Sequence, residues 1–90
     1  MSGNGTLPAD GLVAVVKRDC PTCVLTAPVL AELAVRDTLA VFTQDDPTFP
    51  EIVAERIDDT ALDASHRLRI EIVPTLIRME AGREIARTYG

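Results

Sequence analysis

The sequence predicts an α/β fold in which a central mixed sheet of about four strands carries helices on both faces. Two short apolar runs, 12–16 and 39–42, have the composition of strands, and the segment between them has the spacing of a helix. A strand, a helix and a second strand in this order favour parallel pairing of the two strands. Ninety residues suffice for a single domain.

The first half of the chain predicts a leader, a strand, a helix and a second strand. Residues 1–10 are small and polar without an apolar period, so we expect a flexible leader before a domain at 11–90. The run at 12–16 is apolar on both sides of the pleat, as in a strand covered on both faces. Apolar residues at threes and fours predict a helix of about fifteen residues from Cys20, with Pro21 in its first turn.

The second half has weaker signals. Prolines and turn formers make 43–58 a loop with room for one helical turn at 51–56. Asp59-Thr60 followed by Asp63 predicts the start of a helix of about ten residues that ends at Leu68 or Arg69. Strands at 75–79 and 84–88, joined near Gly82, predict a closing hairpin.

Composition excludes several classes of function. The formal net charge of −5 removes the positive field that attracts nucleic acid. The longest apolar run, 12–16, is far short of the roughly 20 residues that cross a membrane. The amino-terminal residues lack the pattern of a secretory signal, which favours a cytoplasmic protein. Two cysteines and one histidine, His66, do not make a self-contained zinc site, so we predict neither a metal nor a separate cofactor.

The segment Cys20-Pro21-Thr22-Cys23 carries the chemistry, because it lies where a buried strand meets a helix. A spacing of three brings both sulfurs to one side of the first turn, close enough for a disulfide. The helix amino terminus lowers the pKa of the Cys20 thiol and makes Cys20 the attacking group, while the more enclosed Cys23 resolves the mixed disulfide. Two structural thiols, or half of a metal site shared between chains, are the alternatives.

From about Gly11 to Gly90 the chain resembles the thioredoxin family. The resemblance implies that Cys20 is the nucleophile, Cys23 the resolving thiol, and Pro74 a cis-proline facing the disulfide, with Val73, Pro74 and Thr75 as substrate-binding residues. It is carried by Cys20-Pro-Thr-Cys23, by Pro28 eight residues after the first cysteine, by Val73-Pro74-Thr75, and by Gly82 and Gly90 at the hairpin turn and after the last strand.

The chain departs from the family pattern at two site positions. Asp19 replaces the aromatic residue that precedes the first cysteine in many members, and its carboxylate opposes thiolate formation at Cys20. Ala14 stands where the family has a buried carboxylate that assists the resolving cysteine. The family's first strand and helix and its last helix are also missing. We therefore expect a homodimer, or a larger host polypeptide, to cover the exposed sheet.

The predicted function is thiol–disulfide exchange on protein or small-thiol disulfides, with a reductase or a low-molecular-weight thiol as electron donor. A thioredoxin-like binding module with little turnover is the first alternative. A glutaredoxin-like carrier of an iron–sulfur cluster is the second. Seven acidic residues between positions 45 and 63 predict a solvated face, with docking of a basic partner as the other interpretation.

Overall fold

The computed structural model describes residues 7–89, which form a five-stranded mixed sheet with two helices. The strands lie in the order β3-β2-β1-β4-β5. β1 pairs in parallel with β2, and β2 with β3, whereas β4 and β5 are antiparallel to their neighbours. In chain order the elements are β1 (Gly11–Val16), α1 (Pro21–Arg36), β2 (Leu39–Thr43), β3 (Ile57–Asp58), α2 (Asp63–Arg67), β4 (Thr75–Glu80) and β5 (Arg83–Tyr89).

The two helices cover opposite faces of the sheet, as predicted. β1 lies in the middle, and its residues 12–16 are buried on both faces, which explains why the run is apolar throughout. On the α1 face, the buried cluster includes Ala14, Val16, Cys23 and Leu30. On the α2 face, the buried cluster consists of Val13, Val15, Phe42, Ala64, Leu68, Ile77 and Met79. Neither described helix is long and apolar enough to cross a membrane.

The hairpin of β4 and β5 closes through a two-residue turn. Both central residues, Ala81 and Gly82, have positive φ, at 52° and 78°, as the tight turn of a right-twisted hairpin requires. The Ala81 N–H donates to the Asp10 carboxylate, and the Gly82 N–H donates to the Ala9 carbonyl. Residues 7–10 of the predicted leader therefore contact the domain, while residues 1–6 lie outside the described residues.

The segment after β2 differs from the prediction at β3 and at α2. The predicted loop at 43–58 ends in the two-residue strand β3, the fifth strand of a sheet predicted to have about four. α2 has five residues rather than about ten, and its N-cap is Leu62, without a side-chain hydrogen bond. The carboxylate of Asp59 instead accepts the N–H groups of Ala64 and Ser65. Pairing with β2 produces β3, and the Asp59 carboxylate, five and six residues before the N–H groups that it binds, fixes the start of α2.

The backbone of Gly11 lies closer to Thr38, the residue before β2, than a side chain at position 11 permits. A Cβ atom there would lie 2.8 Å from the Thr38 carbonyl oxygen, and the φ of Gly11 is +110°. Gly82 also has positive φ, but a Cβ atom there would meet no atom within 4 Å. We therefore expect Gly82→Ala to lower the free energy of unfolding by about 1 kcal/mol, and Gly11→Ala by at least about twice as much. Urea denaturation measures both, and equal losses would contradict the steric argument.

Candidate active site

Cys20 lies between β1 and α1 and caps the helix with its sulfur. Its backbone is extended, with φ −157° and ψ 107°, and Pro21 follows at the first helical position. The Cys23 N–H, one of the groups that a helix start leaves unpaired, donates to Cys20 Sγ at 3.3 Å. The partly exposed sulfur of Cys20 therefore receives a hydrogen bond that favours its ionised form.

Cys23 is one turn further along α1 and faces the core. Its side chain is fully buried among Ala14, Val16 and Leu30. The Lys17 N–H donates to its sulfur at 3.5 Å. Both cysteines are free thiols in this structure, so the pair is in its dithiol form.

The environments of the two sulfurs shift their pKa values in opposite directions. Partial burial alone would raise the pKa of Cys20. Hydrogen bonds from Cys23 and from the Thr22 backbone, together with the charge of Lys17, outweigh burial and lower the Cys20 pKa. For Cys23, burial is the main cause that raises the pKa to about 12, and the neighbouring Cys20 adds to it. Cys20 therefore ionises more readily than Cys23, which burial holds as a neutral thiol.

The segment before β4 lies against the Cys20 sulfur. The Cys20 thiol is 3.7 Å from the carbonyl oxygen of Val73, which accepts its hydrogen bond, and the peptide bond between Val73 and Pro74 is cis. Pro74 and Thr75 are buried, and the Thr75 hydroxyl donates to the Ile72 carbonyl. Of the three predicted substrate-binding residues, Val73 therefore contacts the Cys20 sulfur through its carbonyl oxygen. Thr75 does so only indirectly, because its hydroxyl binds Ile72, the residue before Val73.

Asp19 is exposed, and the charged group that contributes to the lowered Cys20 pKa is Lys17, after the hydrogen bonds from Cys23 and Thr22. The Asp19 N–H donates to the carboxylate of Asp45. Ala14 is buried on the α1 face together with Cys23, so the strand supplies a methyl group at that position instead of a carboxylate. In residues 7–89 no group of three or more His, Cys, Asp or Glu side chains is placed to hold a metal ion.

An acidic loop after β2 packs against the residues that precede Cys20. Arg18 donates to Asp46 at 2.5 Å and also to Glu51, and its guanidinium lies 5.1 Å from the centroid of the Phe49 ring. Part of the acidic segment is thus paired within the chain. Sequence reasoning missed this contact because Arg18 and its partners are 28 to 33 residues apart and follow no local pattern. The basic pair Lys17-Arg18 shortly before Cys20, with a cluster of acids further along the chain, is the signal that the sequence offers.

Comparison with solved structures shows a thioredoxin-like fold. Reduced thioredoxin pre-protein of Schistosoma mansoni superposes with a TM-score of 0.62 at 21% identity, over 91% of this chain and 69% of that one. Thioredoxin of Malassezia sympodialis, described as a member of a pan-allergen family, gives a TM-score of 0.58 at 17% identity, over 94% of this chain and 67% of that one. Neither family models nor curated protein sequences give a significant match.

The opposite pKa shifts predict that alkylation separates the two cysteines. With the reduced chain, we expect iodoacetamide to modify Cys20 at a pH below that needed for a free cysteine, because its thiolate is stabilised. Cys23 stays unmodified up to about pH 10, because its pKa is about 12 and its side chain is buried. Fragment-ion mass spectrometry of the peptide that contains both residues reads each site. Equal rates at the two cysteines across this pH range would contradict the assignment.

Proposed function

We propose that this protein is a thiol–disulfide oxidoreductase in which Cys20 attacks and Cys23 resolves. The observation that carries the proposal is the asymmetry of the pair. Cys20 Sγ is partly exposed and accepts a helix N–H, whereas Cys23 one turn away is fully buried. The pair itself is the redox group, and the proposal includes no other cofactor.

In the first step, the Cys20 thiolate attacks one sulfur of a substrate disulfide. A bond forms between Cys20 and that sulfur, the substrate S–S bond breaks, and the second substrate sulfur leaves as a thiolate that takes up a proton. In the second step, Cys23 loses its proton and attacks Cys20. The Cys20–Cys23 disulfide forms, the remaining substrate sulfur leaves as a thiolate, and two electrons have passed from the protein to the substrate.

The second step requires a thiolate at Cys23, and the first step favours its formation. Burial is the largest cause of the raised Cys23 pKa, but the charge on Cys20 and the hydrogen bond with it add to the shift. When Cys20 enters a mixed disulfide, its charge is gone. The pKa of Cys23 then falls from its value in the free dithiol, so Cys23 ionises more readily at the stage where it attacks.

The surface around Cys20 supports protein disulfides as the substrate class. The Val73 backbone is beside the sulfur, where an extended substrate chain can pair with it. Ile72, before Val73, is 53% exposed, and Val24, after Cys23, is 49% exposed. Apolar side chains of a protein substrate can pack against Ile72 and Val24, whereas a small charged thiol has no apolar group to place there.

A low-molecular-weight thiol or a reductase then returns the pair to the dithiol. Each cycle consumes two thiol equivalents, which reduce Cys20–Cys23 and are themselves joined in a disulfide. A cytoplasmic location, which the sequence favours, supplies such donors and sets the direction toward substrate reduction.

A binding module with little turnover is the second candidate function, and the position of Ala14 favours it. Cys23 is buried with a pKa near 12, and the strand beside it carries no carboxylate to accept its proton. Slow attack of Cys23 on the mixed disulfide would leave a domain that binds partners beside Val73 without efficient disulfide exchange.

Serine variants distinguish the two functions. With insulin as substrate and dithiothreitol as donor, we expect Cys23→Ser to lower turnover by at least about a hundredfold. With insulin alone, after the dithiothreitol is removed, the variant accumulates a mixed disulfide at Cys20, because attack continues while resolution stops. Cys20→Ser is the matched control, and it loses turnover without trapping substrate. Mass spectrometry under non-reducing conditions detects the adduct. The binding module would remain as the function if the wild-type chain reduced insulin no faster than either variant and if Cys23→Ser formed no adduct.

A further inference from the structure

The carboxylate of Asp45 binds the backbone of the loop that leads into Cys20. The Arg18 N–H donates to one carboxylate oxygen at 2.7 Å, and the Asp19 N–H donates to the other at 2.9 Å. Both donors are at least 26 residues away in the chain. Asp45 therefore joins the end of β2 to the start of the active-site loop through two charge-assisted hydrogen bonds.

The same loop also contacts the resolving sulfur. The N–H of Lys17 donates to Cys23 Sγ at 3.5 Å, and the Cys20 N–H donates to the Arg18 carbonyl at 2.8 Å. Three successive N–H groups, from residues 17, 18 and 19, thus bind the buried sulfur and then the two oxygens of Asp45. Because each residue has only two free backbone dihedral angles, a carboxylate that holds the N–H groups of residues 18 and 19 also restricts the N–H group of residue 17.

Asp45 is itself held in place from both sides. The Gln44 N–H donates to the Val16 carbonyl at 2.9 Å, which extends the pairing of β1 and β2 up to Asp45. On the other side, the Thr43 hydroxyl donates to the carbonyl of Asp46 at 2.9 Å. The carboxylate is therefore presented from a fixed backbone, as a positioning group requires.

Asp45 also supplies negative charge near the pair. Partial burial would raise the pKa of Asp45, but the N–H groups of Asp19 and Arg18 outweigh it and lower the pKa. The carboxylate is therefore ionised at neutral pH, and its charge contributes to the raised pKa of Cys23. Position 14 of β1 is alanine, so the negative charge near Cys23 comes from Asp45 in the loop after β2 instead of from β1.

We propose that Asp45 is a positioning residue of the dithiol pair, holding the 17–19 loop so that Cys20 and Cys23 close into a disulfide. This inference rests on the proposed function. The Asp45 carboxylate favours the disulfide because it fixes the loop that contacts both cysteines, so the two sulfurs are held where they can join. Removal of the carboxylate loosens this loop and shifts the equilibrium toward the dithiol.

The test measures the equilibrium in which the dithiol and oxidised glutathione give the protein disulfide and two molecules of reduced glutathione. The variant is Asp45→Asn, which removes the charge and replaces one acceptor with an amide donor facing a backbone N–H. We expect its equilibrium constant for disulfide formation to fall by at least about tenfold, equivalent to a midpoint about 30 mV less negative. Alkylation followed by mass spectrometry gives the oxidised fraction in each buffer.

Asp58→Asn is the matched control, because Asp58 is an exposed carboxylate that also accepts a backbone N–H, from Thr60, but lies on β3. We expect its midpoint to equal that of the wild-type chain. If Asp45→Asn does not fold by circular dichroism, Asp45→Ser replaces it, with the same expected direction. A wild-type midpoint in Asp45→Asn, or an equal shift in both asparagine variants, would overturn the inference. Failure of the wild-type chain to form a reversible disulfide would instead overturn the proposed function.

Discussion

The hydrogen bond from the Cys23 N–H to Cys20 Sγ is the contact on which the rest of the site depends. It exists because α1 begins directly after the buried central strand, so the unpaired N–H groups of the helix meet a sulfur at the N-cap. This interaction caps the helix and stabilises the charged form of Cys20, the cysteine that we propose attacks the substrate. The sheet and the other helix hold β1 in place, and β1 in turn places the cap.

Burial separates the roles of two residues that are identical in chemistry. Cys20 has partial access to solvent and a nearby lysine, whereas Cys23 faces the α1 core among aliphatic side chains. The low polarity around Cys23 raises the free energy of its thiolate and therefore its pKa. A single helical turn thus gives two cysteines different acidities, because one end of the turn is at the surface and the other is in the core, and the proposed order of reaction rests on this difference.

Much of this site follows from local sequence, and the remainder from contacts across the fold. The cysteine pair, the helix start at Pro21 and the segment at 73–75 have signals within a few residues, and the structure brings Val73 to the sulfur. The partners of Arg18 and the role of Asp45 have no such signal, since each bond spans more than 25 residues. The short β3 depends on pairing with β2, which the residues around it do not signal. The start of α2 depends on the buried Asp59 carboxylate, five and six residues before the N–H groups that it binds, so the helix begins later than the local pattern predicts.

The sequence by itself determined the parallel strand–helix–strand unit, the closing hairpin and the place of the cysteine pair at the start of the first helix. These depend on apolar period, helix-start chemistry and cysteine spacing, which are properties of adjacent residues. Only the tertiary structure decided which charges surround the sulfurs. Asp19, next to Cys20 in the chain, directs its N–H to Asp45, while Lys17 and Asp45 act on the two cysteines. The physical reason is that electrostatic effects depend on distance in space and on burial, and neither is encoded in neighbouring positions.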